Sequence, residues 1–188
     1  MSQDRPKNFN FGVTGKIYMG HEEYTRQAAK KAACMVITIS DTRTDESDTS
    51  GRLIIKLLEH NGHRRVKKHI VPDEPQDIRA LLQDGIASDE IQVILCHGGT
   101  GISARDRSYE AIDAVLEKRL TGFGELFRML SYQEIGPTAM MSRATAGISA
   151  GTIIFSMPGS KAAVKLAMEK LILPELSHLL WELGKHSG

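Results

Sequence analysis

The stretch Ile91-Gln92-Val93-Ile94-Leu95-Cys96-His97-Gly98-Gly99-Thr100-Gly101 decides the fold. Its first six residues form the most apolar short run of the chain, and a turn signal follows at once. Such a run reads as a strand buried on both faces and therefore central in a sheet. Three glycines among the four residues Gly98 to Gly101 admit positive φ and let backbone N–H groups approach a ligand without interference from a Cβ. A concave loop of this kind binds anions, phosphate above all. The same glycines also serve a plain strand-to-helix turn, but a loop leaving the C-terminal end of a central strand is where α/β sheets place their ligands.

Outward from that strand the chain alternates. Upstream, a β-branched run over 34–40 ends in Ser40 and Asp41. A helix is predicted over 51–61, with Leu53, Ile54, Leu57 and Leu58 on one stripe and Gly62 closing it. A strand over 65–71 mixes Val66 and Ile70 with basic residues, which predicts half exposure near a sheet edge. A helix over 75–83 follows. Downstream, helices are predicted over 109–118 and 124–133, a short polar strand over 144–149 and a buried strand over 152–155. A final helical region over 161–183 is interrupted at Pro174. Strands alternating with helices predict one α/β domain: a doubly wound, mostly parallel sheet with helices on both faces. Right-handed crossovers then bring the loops after the strands to one edge. The first 20 residues read as an extension, and residues 21–188 as the domain, beginning with a helix over 21–33.

Size and charge exclude several classes. A chain of 188 residues is one domain by the usual prior and buries roughly 70% of its unfolded surface. Its 24 basic and 23 acidic residues leave a net charge of +1, without the cationic surplus that a nucleic-acid partner demands. No apolar run approaches the ~20 residues that span a bilayer, and the N-terminal residues lack the apolar core of a signal peptide. These features predict a cytoplasmic protein without a membrane partner. Cys34 opens one predicted strand and Cys96 closes another, an expected separation of roughly 20 Å at ~3.3 Å per residue, which excludes a disulfide.

The residues with chemistry sit in loops after strands. Asp73 lies in Val71-Pro72-Asp73-Glu74-Pro75 and Asp106 in Ser103-Ala104-Arg105-Asp106-Arg107. Each fits a helix N-cap, and Asp73 with Gln76 fits a capping box. Each equally fits a carboxylate that meets phosphate through a hard cation such as Mg²⁺. Arg105 and Arg107 suit a negatively charged substrate. Pro158-Gly159-Ser160-Lys161 follows another buried strand and opens a helix, which predicts a second anion site. Ser40, Asp41, Asp48 and Ser50 line the loop after the first strand, the last two also as possible caps. Gly99-x-Gly101-x-x-Ala104 matches a dinucleotide fingerprint formally but lacks the following strand with its acidic tip. No P-loop and no nucleophile elbow occur. The seven histidines show no ligand spacing, and the methionines suit packing or subunit contact.

Gly98-Gly99-Thr100-Gly101, Gly122-Phe123-Gly124-Glu125-Leu126-Phe127-Arg128, Ser142-Arg143-Ala144 and Met157-Pro158-Gly159-Ser160 stand in the order and spacing of a known family. With Ile39-Ser40-Asp41 and Pro72-Asp73-Glu74, the chain from about residue 34 to 183 resembles the MoaB/Mog family of molybdenum-cofactor biosynthesis, nearest its MoaB branch. The resemblance implies trimers, sometimes paired into hexamers, and molybdopterin binding. It implies an adenylyltransferase that uses ATP and Mg²⁺ and releases pyrophosphate, with catalytic aspartates falling on Asp73 and Asp106. The substrate-binding residues it implies are Ser40, Asp41, Gly98, Gly99, Thr100, Gly101, Ser142, Arg143, Pro158, Gly159, Ser160 and Lys161. Cys96-His97 stand where many members carry two threonines, and Arg107-Ser108-Tyr109-Glu110 replaces the usual Val-Thr-Pro-Glu. Two expectations therefore stay open: an adenylyltransferase, or a pterin-binding or assembly protein without turnover. Phe127, Met129 and Leu130 are expected at the subunit contact.

Overall fold

In a computed structural model, residues 31–185 are described; the expected extension and most of the helix over 21–33 lie outside them. The elements run β1 (Ala33–Ile39), α1 (Thr49–His60), β2 (Arg64–Val71), α2 (Pro75–Ile86), β3 (Val93–His97), α3 (Ser108–Asp113), β4 (Lys118–Arg119), α4 (Thr121–Ile135), β5 (Thr145–Ser149), β6 (Thr152–Met157), α5 (Lys161–Ala167) and α6 (Leu173–Gly184). A 3₁₀ turn, Gly136–Met141, links α4 to β5. The strands form one sheet in the order β2-β1-β3-β6-β5-β4. The first four are parallel, and β5 and β4 join antiparallel.

Period two divides the core between the two faces of the sheet. Cys34 and Val36 of β1 meet Val93, Leu95, Ile153 and Phe155 under α1, α4, α5 and α6. Met35, Ile37 and Ile39 meet Ile94, Cys96 and Ile154 under α2 and α3. Helices thus cover both faces, and β3 lies between β1 and β6, as its apolar run predicts. The exposure of Arg64, Arg65 and Lys67 on β2 is explained by its place at the sheet edge. No helix among the described residues is long and apolar enough to cross a membrane.

The structure corrects several expectations. The helix expected over 109–118 ends at Asp113, because the chain turns out to form β4, which pairs Lys118 with Ile148 and Arg119 with Gly147. Two exposed residues carry no periodic signal. Pro174 does not interrupt the last helix: a π turn, Met168–Ile172, takes up an extra residue, and the Leu173 amide reaches back to the Met168 carbonyl. Pro174 then enters the first turn of α6, where its missing N–H costs nothing. Parallel register sets Cys34 opposite Val93, so Cys96 lies only three residues further along the neighbouring strand. That is roughly 11 Å, not 20 Å, and still beyond disulfide reach. Both thiols are free and buried, and burial pushes each up to about 12.

Candidate functional site

Gly98-Gly99-Thr100-Gly101 leaves β3 between the C-terminal tips of β1 and β6. Gly98 and Gly99 take φ of +100° and +60°. A Cβ on Gly98 would stand 2.2 Å from the Ile39 carbonyl oxygen, and one on Gly99 2.1 Å from Ser108 Oγ and 2.7 Å from Asp73 Oδ2. The loop is threaded through a gap that only glycine fits. The Gly98 amide donates to the Met157 carbonyl at 3.1 Å, which ties the loop to β6. Ser108, fully buried, donates to the carbonyl oxygens of Gly98 (3.3 Å) and Gly99. With those carbonyls held inward, the amides of Gly99, Thr100 and Gly101 have no protein partner among the described residues. The amides open to a ligand in this nest are therefore those of Gly99, Thr100 and Gly101.

The crevice above this loop holds about 410 Å³. Its walls are Ser40, Thr42 and Arg43 on one side and Gly159 and Ser160 on the other; its floor is Thr38, Asp48 and His97. Asp48 caps α1 through the Gly51 amide at 2.8 Å, as expected of a cap. It also accepts from Thr38 Oγ1 at 2.8 Å and lies 3.0 Å from Lys68 Nζ. Burial raises its carboxyl, but the Gly51 amide, the Thr38 hydroxyl and the Lys68 ammonium outweigh burial and hold it below the ordinary carboxylate range. Ser50 spends its hydroxyl on the Gly159 carbonyl at 2.9 Å and so locks α1 to the second loop.

Asp73 is not the cap of α2. The capping position is Glu74, which makes no side-chain cap bond. Asp73 is instead 6% exposed, turned toward the glycine loop, and accepts from the Arg107 amide at 3.3 Å. Burial raises its carboxyl, the Arg107 amide counters in part, and the charges of Asp106 and Asp41 raise it again, for a net upward shift. Asp106 does not cap α3 either; Arg107 holds that position. Its carboxylate closes the loop on the Ser103 amide at 3.0 Å, beside Gly101. Asp41 accepts from the Asp73 amide at 3.0 Å and from Arg105, whose guanidinium also reaches Glu74 at 2.6 Å. The Arg105 guanidinium, with the Asp73 amide, holds Asp41 below the carboxylate range. Arg105 is thus spent on protein carboxylates rather than left open for a substrate.

The remaining expected residues divide. Ser40 accepts from the amides of Thr42 and Arg43 and shapes the first loop. Ser160 caps α5 through the Ala163 amide at 3.2 Å, with Pro158 before it and Lys161 exposed behind it. Ser142 and Arg143 lie outside this crevice, in a second one of about 470 Å³ with Tyr109, Arg119, Glu125 and Arg128. Arg143 reaches back to the carbonyls of Asp106 (2.8 Å) and Thr100 (3.4 Å) and so braces the glycine loop from behind. Among the described residues no group of three or more His, Cys, Asp or Glu is assembled around a metal. Asp73 and Asp106 nevertheless suit Mg²⁺, which is held by one or two carboxylates together with waters and substrate phosphates. A cation would also relieve the mutual repulsion that raises Asp73.

Thr38, His97 and Ser108 are crevice or bracing residues that sequence reading passed over as site members. His97 had one available signal: it is a polar side chain at the C-terminal tip of the central strand.

A family model described as "Probable molybdopterin binding domain" matches residues 35–178. The chain is similar to molybdenum cofactor biosynthesis protein B of Bacillus subtilis, 49% identical over 168 residues that cover 89% of this chain and 99% of the relative. It is similar to a crystal structure of molybdenum cofactor biosynthesis protein B, with a TM-score of 0.82, 49% identity and coverage of 84% of this chain and 98% of that one. It is also similar to the tungsten cofactor synthesizing protein MoaB from Pyrococcus furiosus, with a TM-score of 0.74, 38% identity and coverage of 82% and 98%.

Proposed function

The chain belongs to the molybdopterin-binding domain family of molybdenum-cofactor biosynthesis proteins, and from that premise we propose that it adenylylates molybdopterin in the glycine crevice, in the cytoplasm. The observation that carries this reading is Asp73: a buried carboxylate raised by burial and by its acidic neighbours, beside three unpaired amides of the phosphate nest. A bare carboxylate there repels phosphate. The pair Asp73 and Asp106 makes sense as the residues that hold Mg²⁺, which when bound neutralises phosphate charge.

A terminal phosphate oxygen of the pterin attacks the α-phosphorus of ATP, the bond from that phosphorus to the bridging oxygen breaks, and pyrophosphate leaves. The protein's part is positioning and fixed charge. The amides of Gly99, Thr100 and Gly101 hold phosphate oxygens, Ser108 and Arg143 keep them aimed, and Arg43 adds a cation at the mouth. Ser40, Asp41, Pro158, Gly159, Ser160 and Lys161 line or flank the nucleotide and pterin paths, and Ser142 belongs to the neighbouring crevice. An ATP titration tests the reading: affinity rises at least tenfold with Mg²⁺ if the carboxylates act through the metal, and is unchanged by Mg²⁺ if they do not.

One observation favours a binding or assembly protein without turnover. The Asp106 carboxylate is already engaged by the Ser103 amide, as a turn-former would be. We also propose a homotrimer, with hexamers as its paired form. Leu126, Met129, Tyr132, Ile135, Met140 and Met141 stand exposed on α4 and the 3₁₀ turn, an apolar surface of the kind that marks a protein contact.

A further inference from the structure

His97 carries a hydrogen-bond acceptor into the crevice, and three contacts fix its tautomer. Asp48 is ionised, held by the Gly51 amide and Lys68, so it can only accept from Thr38 Oγ1. Thr38 has one hydroxyl proton and gives it to Asp48. At 2.8 Å its oxygen must therefore accept from His97 Nε2. The proton of a neutral imidazole is then on Nε2, and Nδ1 is a bare lone pair. Nδ1 has no partner among the described residues, although His97 is only 2% exposed. It is not sealed in protein either, because Ser156 Oγ is the single fully buried side-chain polar atom left unpaired among them. Its opening is the crevice, at the seam of the two loops: a Cβ on Gly159 would stand 4.0 Å from Nδ1 and 3.1 Å from Gly98 Cα.

A phosphate dianion offers only acceptors, and it would meet this lone pair without a proton between them. We propose that a phosphate group in the glycine crevice is bound together with one proton, shared between a phosphate oxygen and His97 Nδ1. The proposal rests on the reading of the crevice as a phosphate site. The charged groups that face the imidazole are Asp48 from the cap of α1, Lys68 from β2 with Asp45 behind it, and Arg43 from the loop after β1. Burial brings the free imidazole down to about 4, the nearby Asp48 opposing, so the ring is neutral around neutral pH and the proton comes from the phosphate or from solvent. Whether it then rests on oxygen or nitrogen, the count is the same.

The test is calorimetric titration of the full chain with inorganic phosphate near pH 8, in two buffers of different ionisation heat. The expected result is uptake of about one proton per phosphate, with affinity falling about tenfold per pH unit in that range. In His97→Thr the uptake drops to near zero and the pH slope disappears. As a second readout on the wild type, histidine ¹⁵N resonances show a bare Nδ1 at His97 that becomes hydrogen-bonded when phosphate is added. Phosphate binding without proton uptake overturns the proposal and leaves the phosphate site standing, as does uptake that persists in His97→Thr. No phosphate binding at any pH overturns both.

Discussion

Asp73 is the residue whose surroundings differ most from those of a helix cap. Its carboxylate is buried, raised, and aimed at the glycine loop rather than at α2. Asp73→Asn and Asp106→Asn keep an acceptor for the Arg107 and Ser103 amides but remove the charge. Each should lower adenylyl transfer by about 10²-fold or more, roughly 3 kcal/mol of barrier, as read by pyrophosphate release. The melt gives an independent check. A carboxyl raised in the folded state is tolerated best below its unfolded pKa, and that tolerance is lost as pH rises through the folded value. Asp73→Asn should therefore melt no lower than wild type at neutral pH, and any gain should vanish in acid, where wild-type Asp73 is protonated. A lower melt at neutral pH would return Asp73 to a structural role. Gly98→Ala presses a Cβ against the Ile39 carbonyl at φ +100°, and should cost about 3 kcal/mol in a denaturant titration. The glycines, Asp41 and Asp73 were legible because each follows a strand. The Thr38–His97–Asp48 floor was not, because Thr38 and His97 are 59 residues apart in sequence and meet only through the pairing of β1 with β3.

At the scale of elements, α4 is where sequence reading joined two things that the fold separates. The expected contact set Phe127, Met129 and Leu130 follows one helix, but Phe127 is 1% exposed and packs near Phe123, which in turn packs edge-on to Phe155. Phe127 belongs to the protomer's core and cannot reach a neighbour; Met129 and Tyr132, on the opposite side, stand 52% and 60% exposed. Phe127→Ala should destabilise the fold by about 3–5 kcal/mol. A double change of Met129→Glu and Tyr132→Glu should leave the fold and the far-ultraviolet dichroism intact and bring the mass by light scattering from trimer to monomer. A wild type that already scatters as a monomer would contradict the proposed assembly. Period alone could not have made this division, since it marks which residues share a face but not what covers that face.

At the scale of the molecule, the alternation of strands and helices was enough to predict a mostly parallel sheet with a central β3 and a half-exposed β2 near its edge. The two-residue β4 and the π turn before Pro174 were not readable, because each is set by what the chain packs against rather than by local pattern. The sheet then does one thing for the site: it brings the ends of β1, β2, β3 and β6 to a single edge, so that Ser40, Asp73, Gly98 and Gly159 meet although they are far apart in sequence. The function proposed for this edge is the transfer of an adenylyl group. Purified full-length chain, incubated with molybdopterin, ATP and Mg²⁺, is followed for pyrophosphate release. The expected result is release that requires both molybdopterin and Mg²⁺ and is lost in Asp73→Asn. Molybdopterin bound by a folded wild type without any pyrophosphate above background would contradict it.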